Sequence, residues 1–454
     1  MEVIAGLILV LVIFGASQNW KLSIKAILVL IVVEGALRRW AFPQARDLIY
    51  FVKDFILIGA YLGFFSKPRL IVDRYPYLKA ITQVLSVLCC LLAFNPSLGS
   101  PIIGLLGIRS YLLYIPLLWV VPHLFDSQTE LRDFIRRYLL LIIPVCILGI
   151  VQYFSPFDSP LNAYIAGEEG KVDTVGEFVR ITGSFSYLSG LTTYLQFCFS
   201  LIVLVIFREK EIKWIVIYCL ELMLVITNSF MSGSRGIIIY EILFAGSFIV
   251  IIGITDPKAL INFVRRLFIP LALSFAITIA NFQVAIEALS YRNETAGDSI
   301  VERIIGPFIE IYIFAEKKIE GYGAGATQGG AASLRGVLNL PSGEVVPDNE
   351  SEMGRIVIEL GLLGFILWYS LKISIWIALY SGFVKHKDNF YKEAALTMLL
   401  FQIILFQDRV VFNPTMLVYY WFGSGFIYLL PVLESKEIKL KSLNETQRIK
   451  SDIS

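Results

Sequence analysis

The chain has 454 residues, of which 57% are hydrophobic, 17% charged and 14% aromatic, and its mean hydropathy is +0.72. That composition excludes a soluble globular protein of this length and indicates a polytopic membrane protein. The near balance of 39 basic and 37 acidic residues gives no electrostatic case for a nucleic-acid partner.

A membrane span needs about 20 apolar residues, fewer where snorkelling side chains flank it. On that criterion spans are expected near residues 3–17, 22–37, 48–65, 77–94, 101–121, 134–152, 187–207, 213–229, 236–254, 267–285, 356–381, 393–407 and 415–433. The chain is therefore expected to be all-α, a polytopic transmembrane helical bundle of about thirteen (12 to 14) helices. The first segment lacks the basic n-region of a cleaved signal and is expected to be retained.

Orientation follows from lysine and arginine in short loops, which mark the cytoplasmic side. Lys21 and Lys25, Lys67 to Lys79, Arg132 to Arg137, Arg208 to Lys213, Lys258 to Arg266, Lys385 to Lys392 and the tail after Glu434 fall on one side in alternate connections. The N-terminus is then outside and the tail inside. The expected organisation is N-terminal transmembrane helices over 1–281 with an outer loop at 153–186, and a large outer-face loop over 282–355. C-terminal transmembrane helices over 356–433 and a polar, loosely ordered cytoplasmic tail over 434–454 complete it.

In the large loop, Ile304, Ile305, Phe308, Ile311, Tyr312 and Ala315 recur at helical spacing, which predicts an amphipathic helix lying on the membrane surface or capping a cavity. The run GYGAGATQGG follows. It weakly resembles a phosphate cradle, although no Walker lysine follows and no strand precedes it, and its other reading is a flexible loop after a helix. The five cysteines, Cys89, Cys90, Cys146, Cys198 and Cys219, all fall inside apolar runs and read as small buried hydrophobes. His123 and His386 cluster neither with cysteine nor with each other, so no metal site is expected.

Arginines on the outer face run against the positive-inside bias, and guanidinium is suited to bidentate capture of phosphate oxygens. Arg180, Arg235 and Arg355 are the candidates for holding a diphosphate, with Arg38, Arg39, Arg109, Arg303 and Arg335 as further substrate-binding candidates. Plainer roles stand beside these. Arg38 and Arg39 can snorkel next to Trp40, Arg235 can satisfy loop carbonyls, and Arg180 can pair with Glu177.

The stretch PDNESEMGRIVIELGLLG, from Pro347 to Gly364, sets Asp348, Glu350, Glu352, Arg355 and Glu359 at a membrane entrance. Glu352, Arg355 and Glu359 share one helix face. A charge at bilayer depth costs about 2.5 to 3.5 kcal/mol on insertion scales, whereas a helical ion pair returns only about 0.2 to 0.5 kcal/mol. Helix stabilisation alone thus explains Arg355 and Glu359 poorly. Glu350 and Asp348 can also act as N-terminal caps matched to the helix dipole.

Together these residues resemble the bacterial O-antigen ligase and polymerase superfamily. The features are SGSRG at the mouth of a span, a large outer loop, then Glu350-Ser351, nine residues and Gly361-Leu362-Leu363-Gly364. The family's ligases carry His, then Asn, Ser or Gln, nine residues, then GxxG. Here Glu350 occupies the histidine position and both histidines fall in cytoplasmic loops, which leans the resemblance toward a polymerase or a divergent member. RITGSFSYLSGLTTYL, and EGALRRWAFP followed by YFVKD, also look like family segments.

The resemblance implies a GT-C-like, metal-independent, inverting glycosyltransferase of the bacterial inner membrane without a cofactor. Its donor would be an undecaprenyl-diphosphate-linked oligosaccharide and its acceptor a saccharide hydroxyl. O-antigen or exopolysaccharide repeat units would be polymerised at the outer face. Membrane lipid, a polysaccharide chain-length regulator and a flippase would be its partners. Glu350 first and Asp348 second are the expected catalytic bases. The alternatives are ligase-type transfer to another acceptor, and transport of a polysaccharide or lipid-linked sugar.

Overall fold

The computed structural model describes residues 2–67, 74–162, 174–175, 178–258, 260–261, 264–265, 268, 272–273, 276, 300–349 and 351–453. Among these its regular structure is helical, apart from a two-residue antiparallel hairpin of β1 (Thr174–Val175) and β2 (Phe178–Val179). Before the hairpin come α1 (Glu2–Gln18), α2 (Trp20–Ala36), α3 (Arg46–Phe65), α4 (Pro76–Leu92), α5 (Pro101–Leu112), α6 (Leu117–Val120), α7 (Gln128–Leu139) and α8 (Ile142–Phe154). After it come α9 (Leu188–Arg208), α10 (Ile212–Met231) and α11 (Arg235–Thr255). The large loop holds α12 (Ile300–Lys317) and α13 (Gly330–Leu338), and the chain closes with α14 (Glu352–Lys385), α15 (Asn389–Ile404), α16 (Pro414–Ser424) and α17 (Phe426–Ile453).

Eight stretches among the described residues are long and apolar enough to cross a membrane. They are Pro43–Phe65, Pro101–His123, Gln128–Phe154, Leu188–Arg208, Ile212–Met231, Arg235–Thr255, Glu352–Lys385 and Pro414–Leu443. The expected segments 3–17, 22–37, 77–94 and 393–407 fall on shorter helices, α1, α2, α4 and α15, of 17, 17, 17 and 16 residues. The expected span at 267–285 lies almost entirely outside the described residues.

At the centre stands α9, where every residue from Thr193 to Phe207 is buried. A helix apolar on all sides belongs inside a bundle, and α7, α10, α11, α15 and α16 surround this one. Phe197 stacks flat on Tyr419 at 4.4 Å and 8°, and the Tyr419 hydroxyl meets that of Tyr138 at 2.7 Å. Close approach replaces hydrophobic drive between helices in lipid. In α3 the Gly59 to Gly63 spacing allows it: a Cβ at Gly59 would meet the Ile13 carbonyl of α1 at 2.4 Å, and one at Gly63 the Ser17 carbonyl at 2.2 Å.

Several boundaries differ from expectation for identifiable reasons. The span over 101–121 is interrupted between Leu112 and Leu117, where Pro116 cannot donate to Leu112. Pro144 likewise parts α7 from α8 at Leu140–Leu141. The tail is not loosely ordered: α17 continues through it to Ile453, because after Pro431 it carries no glycine or proline and is rich in straight-chain helix formers.

Side-chain bonds sort the connections into two ends. At one end Lys21 and Lys436 both reach Asp126, at 3.1 Å each, Arg136 reaches Glu209 at 2.5 Å, and Arg208 joins Asp256 to Glu393. These are the loops expected on the cytoplasmic side. At the other end Arg39 binds the 182–183 segment, Gln407 reaches the Ile304 carbonyl, and Lys318 reaches Ser97 and Glu344.

Candidate functional site

The expected motif Gly361-Leu-Leu-Gly364 marks a break in a membrane helix. Gly361 sits in α14 at φ +68° and ψ −176°, which parts the helix into a short N-terminal piece and a long C-terminal one. Left-handed backbone there suits glycine alone. The break frees carbonyls that must find donors at membrane depth. The Gly-rich run after α12 supplies them: the Tyr322 amide donates to Ile358 O at 2.6 Å and the Gly323 amide to Glu359 O at 3.0 Å, while Leu362 donates back to Ile319 O at 2.9 Å.

This corrects both readings of GYGAGATQGG. The run is neither a flexible loop nor a cradle open to a phosphate, because its amides are occupied. Beyond those two, Ala324 donates to Leu92 O, Ala326 to Gly323 O and Gln328 to Gly325 O. Thr327 gives both its amide and its hydroxyl to Glu359 Oε1 at 2.8 Å. The carboxyl group this loop holds is the chain's own Glu359. Gly321, Gly323 and Gly325 take φ values of 80°, 106° and 98° to make the turn.

Around the N-terminal piece of α14 the polar groups are tightly placed. Ser351 caps the helix by accepting the Gly354 amide at 2.9 Å, and its hydroxyl donates to Glu310 on α12. The expected amphipathic helix is thus present as α12, with Phe314 packed on Val357 and Ile358. Ile304, Ile305, Phe308 and Tyr312 face outward, the side available to a membrane surface. Glu352 is wholly buried, accepts the Val411 amide at 2.9 Å and lies 3.8 Å from Lys372 Nζ. Lys372 in turn donates to Phe406 O at 2.9 Å. This pair pins the turn between α15 and α16 from within the bundle. In that turn, burial pushes the Asp408 carboxyl above the usual aspartate range, against the opposing Arg409 amide and Lys372 ammonium.

Arg355 is the exposed-side member of this group. Its guanidinium stands over the Phe412 ring at 5.1 Å, it is half-buried, and its Nε is enclosed without a hydrogen-bond acceptor. Buried guanidinium donors ordinarily find partners.

The other expected arginines divide by place. Arg180 donates to Ser232 O at 3.3 Å, which joins RITGSFSY to SGSRG and so to Arg235, the first residue of α11. Asn413 then ties the turn beside Phe412 to Ser189 and Thr193 at the start of α9. Arg180, Arg235 and Arg355 therefore belong to linked connections at one end of the bundle. Arg39 stands over the Trp40 ring at 4.4 Å, the neighbour its plainer reading gave it, while Arg38 lies over the Tyr50 ring at 4.9 Å. Arg38 is buried against Glu34 at 3.5 Å and bonded to Ser186, and Arg39 bonds Thr182 and Gly183, so both fasten the Arg180 segment to α2. Arg109 pairs with Asp54 at 2.6 Å and with the Tyr50 hydroxyl, a link between α3 and α5. Arg335 on α13 donates to Leu98 O.

Asp348 is exposed at the approach to α14. Glu350, the Glu177 partner considered for Arg180, and the Arg303 side chain lie outside the described residues. Lys372, Asp408 and Phe412 were not anticipated as part of this site. Lys372 had a signal, a lone ammonium in the middle of an apolar run. Two clefts of about 340 and 370 Å³ lie at the opposite end, beside Lys436 on α17, and not at this cluster.

No family model, no curated protein and no solved structure matches this chain.

Proposed function

We propose that this protein transfers a glycan from a polyprenyl diphosphate to a saccharide hydroxyl, as a polymerase related to the O-antigen ligase and polymerase superfamily. The observation that carries the reading is Arg355, a half-buried guanidinium at the mouth of a broken span, stacked on Phe412 and hydrogen-bonded by its side chain to no described residue. An anionic ligand would meet those donors. In this reading α1, α2, α4 and α15 also span, the 267–285 segment adds a thirteenth helix, and the bundle is GT-C-like. The arginine end faces the periplasm of the bacterial inner membrane.

The acceptor oxygen attacks the anomeric carbon, the bond from that carbon to the diphosphate oxygen breaks, and the configuration inverts. The hydroxyl proton passes to a carboxylate, Glu350 first and Asp348 second. The departing diphosphate carries the electron pair as added negative charge, which Arg180, Arg235 and Arg355 stabilise as fixed cations. A transport reading has one feature in its favour, because discontinuous helices mark many transporter sites. Here, however, the carbonyls of Ile358 and Glu359 at the break are taken by Tyr322 and Gly323 amides.

Purified protein incubated with a synthetic polyprenyl-diphosphate oligosaccharide should yield longer glycans on a gel. Glu350→Gln, Arg235→Ala and Arg355→Ala at equal expression should each shorten or abolish the product. Unchanged product in all three would rule out the assigned site, and translocation in vesicles without a new glycosidic bond would favour transport.

A further inference from the structure

The cleft of about 340 Å³ at the opposite end of the bundle is formed by α17 and by the residues that lead into α4. On α17, Tyr428, Val432, Ser435 and Lys439 follow one another at helical spacing with Lys436 beside them, so the helix turns one face to the cleft. The carboxylates of this stretch, Glu434 and Glu437, fall on the opposite face. Glu434 accepts the Lys387 and Asp388 amides and meets His386 at 2.6 Å. Arg74 closes the cleft from the α4 side. Aromatic rings fix that closure, because Tyr75 packs edge-on against both Tyr77 of α4 and Tyr428 of α17, at 5.8 Å each.

Arg74, Lys436 and Lys439 thus line the cleft, and no carboxylate is among the described residues that line it with them. Lys436 reaches Asp126 at 3.1 Å, an acid that it shares with Lys21. Arg74 and Lys439 are exposed and have no ion-pair partner among the described residues. Cations gathered in a concave site, with the acids of the same helix turned away, concentrate anions there.

The place of the cleft selects the source of the anion. It lies where the apolar stretch of α17 gives way at Glu434 to a charged helix. Three tyrosines gather beside it, as aromatic side chains do at the headgroup level of a bilayer. From there Tyr77, Val84, Val87 and Leu91 form an exposed apolar stripe along α4 that begins three residues after Arg74. Basic pockets between helices at a bilayer surface suit the headgroups of anionic phospholipids.

We propose that this cleft binds an anionic glycerophospholipid, with its phosphate between Arg74 and Lys439 and an acyl chain along the α4 stripe. The proposal stands apart from the glycosyl-transfer reading, whose residues are at the other end of the bundle.

Native mass spectrometry of the full-length protein in detergent, titrated with phosphatidylglycerol or with zwitterionic phosphatidylcholine, reads the affinity for the first lipid bound. Each cation near a bilayer surface is worth roughly a fivefold factor, so phosphatidylglycerol should bind about tenfold or more tightly than phosphatidylcholine. Arg74→Gln combined with Lys439→Gln should remove most of that preference. Both side chains are exposed, so the double variant should melt as the unaltered protein does. Lys385→Gln combined with Lys387→Gln removes two exposed cations elsewhere at the same end and should leave the preference intact. Glycerol phosphate, which has the phosphate ester without the chains, should not displace phosphatidylglycerol at matched concentration.

A preference within about twofold of the unaltered protein in the Arg74–Lys439 variant overturns the inference. An equal loss in the Lys385–Lys387 variant also overturns it, because diffuse surface charge would then account for the binding. Displacement by glycerol phosphate would make the cleft a site for a soluble phosphate ester and end the lipid assignment.

Discussion

Glu352 and Lys372 form the most exacting pair in the bundle, because neither can lose the other without leaving a charge enclosed at membrane depth. Both are essentially unexposed, at 0% and 1%. Breaking such a pair from one side costs about 3 to 5 kcal/mol, whereas replacing both members by neutral groups is often tolerated. Glu352→Ala is therefore expected to lower the melting temperature in detergent sharply, and Glu352→Gln with Lys372→Met to recover most of the loss. Equal melting of the single and double variants would show that the two are not coupled. The same scale shows where sequence reasoning reached and where it stopped. Spacing alone put Glu352, Arg355 and Glu359 on one face, as they are. It could not say that the three have different fates, because the partners of Glu352 and Glu359 come from residues 20 or more positions away: Lys372 and Val411 for one, Thr327 for the other. The arginines are sorted by the same kind of long-range contact. Arg38, Arg39 and Arg355 look alike as outer-face cations, and only packing distinguishes two arginines bonded to the 182–186 segment from one whose side chain bonds no described residue.

At the scale of elements, the break at Gly361 and the Gly-rich run are one device. The run enters the gap in α14 and ties it to the turn between α4 and α5, where Ser97 and Lys318 also hold Glu344 and keep its carboxyl below the usual range. Gly361 is the residue on which the insertion depends. A Cβ there would meet Ile319 O at 2.4 Å in a backbone conformation that disfavours side chains. Strain of this kind amounts to about 1 to 3 kcal/mol, before the clash is added. Gly361→Ala should thus destabilise the protein and expose the Gly-rich run to protease, while Gly246→Ala, with open space around it, should do neither. Protection of the run in Gly361→Ala would sever the two features. The GxxG motif was legible in the sequence as a spacing, but its meaning was not. Gly361 and Gly321 are 40 positions apart, and their close backbone approach, added to the positive φ of each, calls for glycine at both. The helical period of α12 was legible because an amphipathic stripe is a local property. The ordered tail was missed because polar composition was read as looseness, when its residues are good helix formers.

For the molecule as a whole, the charged loops act as two sets of clasps, one at each end of the spans. The clasp at Asp126 joins the start of α2 to α17 through Lys21 and Lys436. Hydrogen bonds from Lys436 and Lys21 hold its carboxyl below the usual aspartate range. Its stabilising contribution is then complete above the unfolded value near pH 3.9 and is lost as pH falls through the lower folded value. Both partners are largely exposed, so the contribution is under about 1 kcal/mol. Asp126→Asn should accordingly leave the melting temperature nearly unchanged at pH 7 yet speed tryptic cleavage at Lys436. Unaltered cleavage would mean that the Asp126 clasp does not hold α17, which Glu434 also fastens to His386 and to the Lys387 and Asp388 amides.

The sidedness of the bundle admits a direct test of the orientation read from its lysines and arginines. In a variant with the five native cysteines replaced, a cysteine in place of Asp348 should react with a membrane-impermeant maleimide on intact spheroplasts. One in place of Lys439 should react only after the membrane is opened. Both positions are exposed, so neither is silenced by burial. The reverse pattern would put Arg235 and Arg355 on the cytoplasmic face, where the acceptor glycan and the outward-facing lipid-linked donor would be out of reach. The glycosyl-transfer reading would then fail on topology alone, whatever the arginines bind.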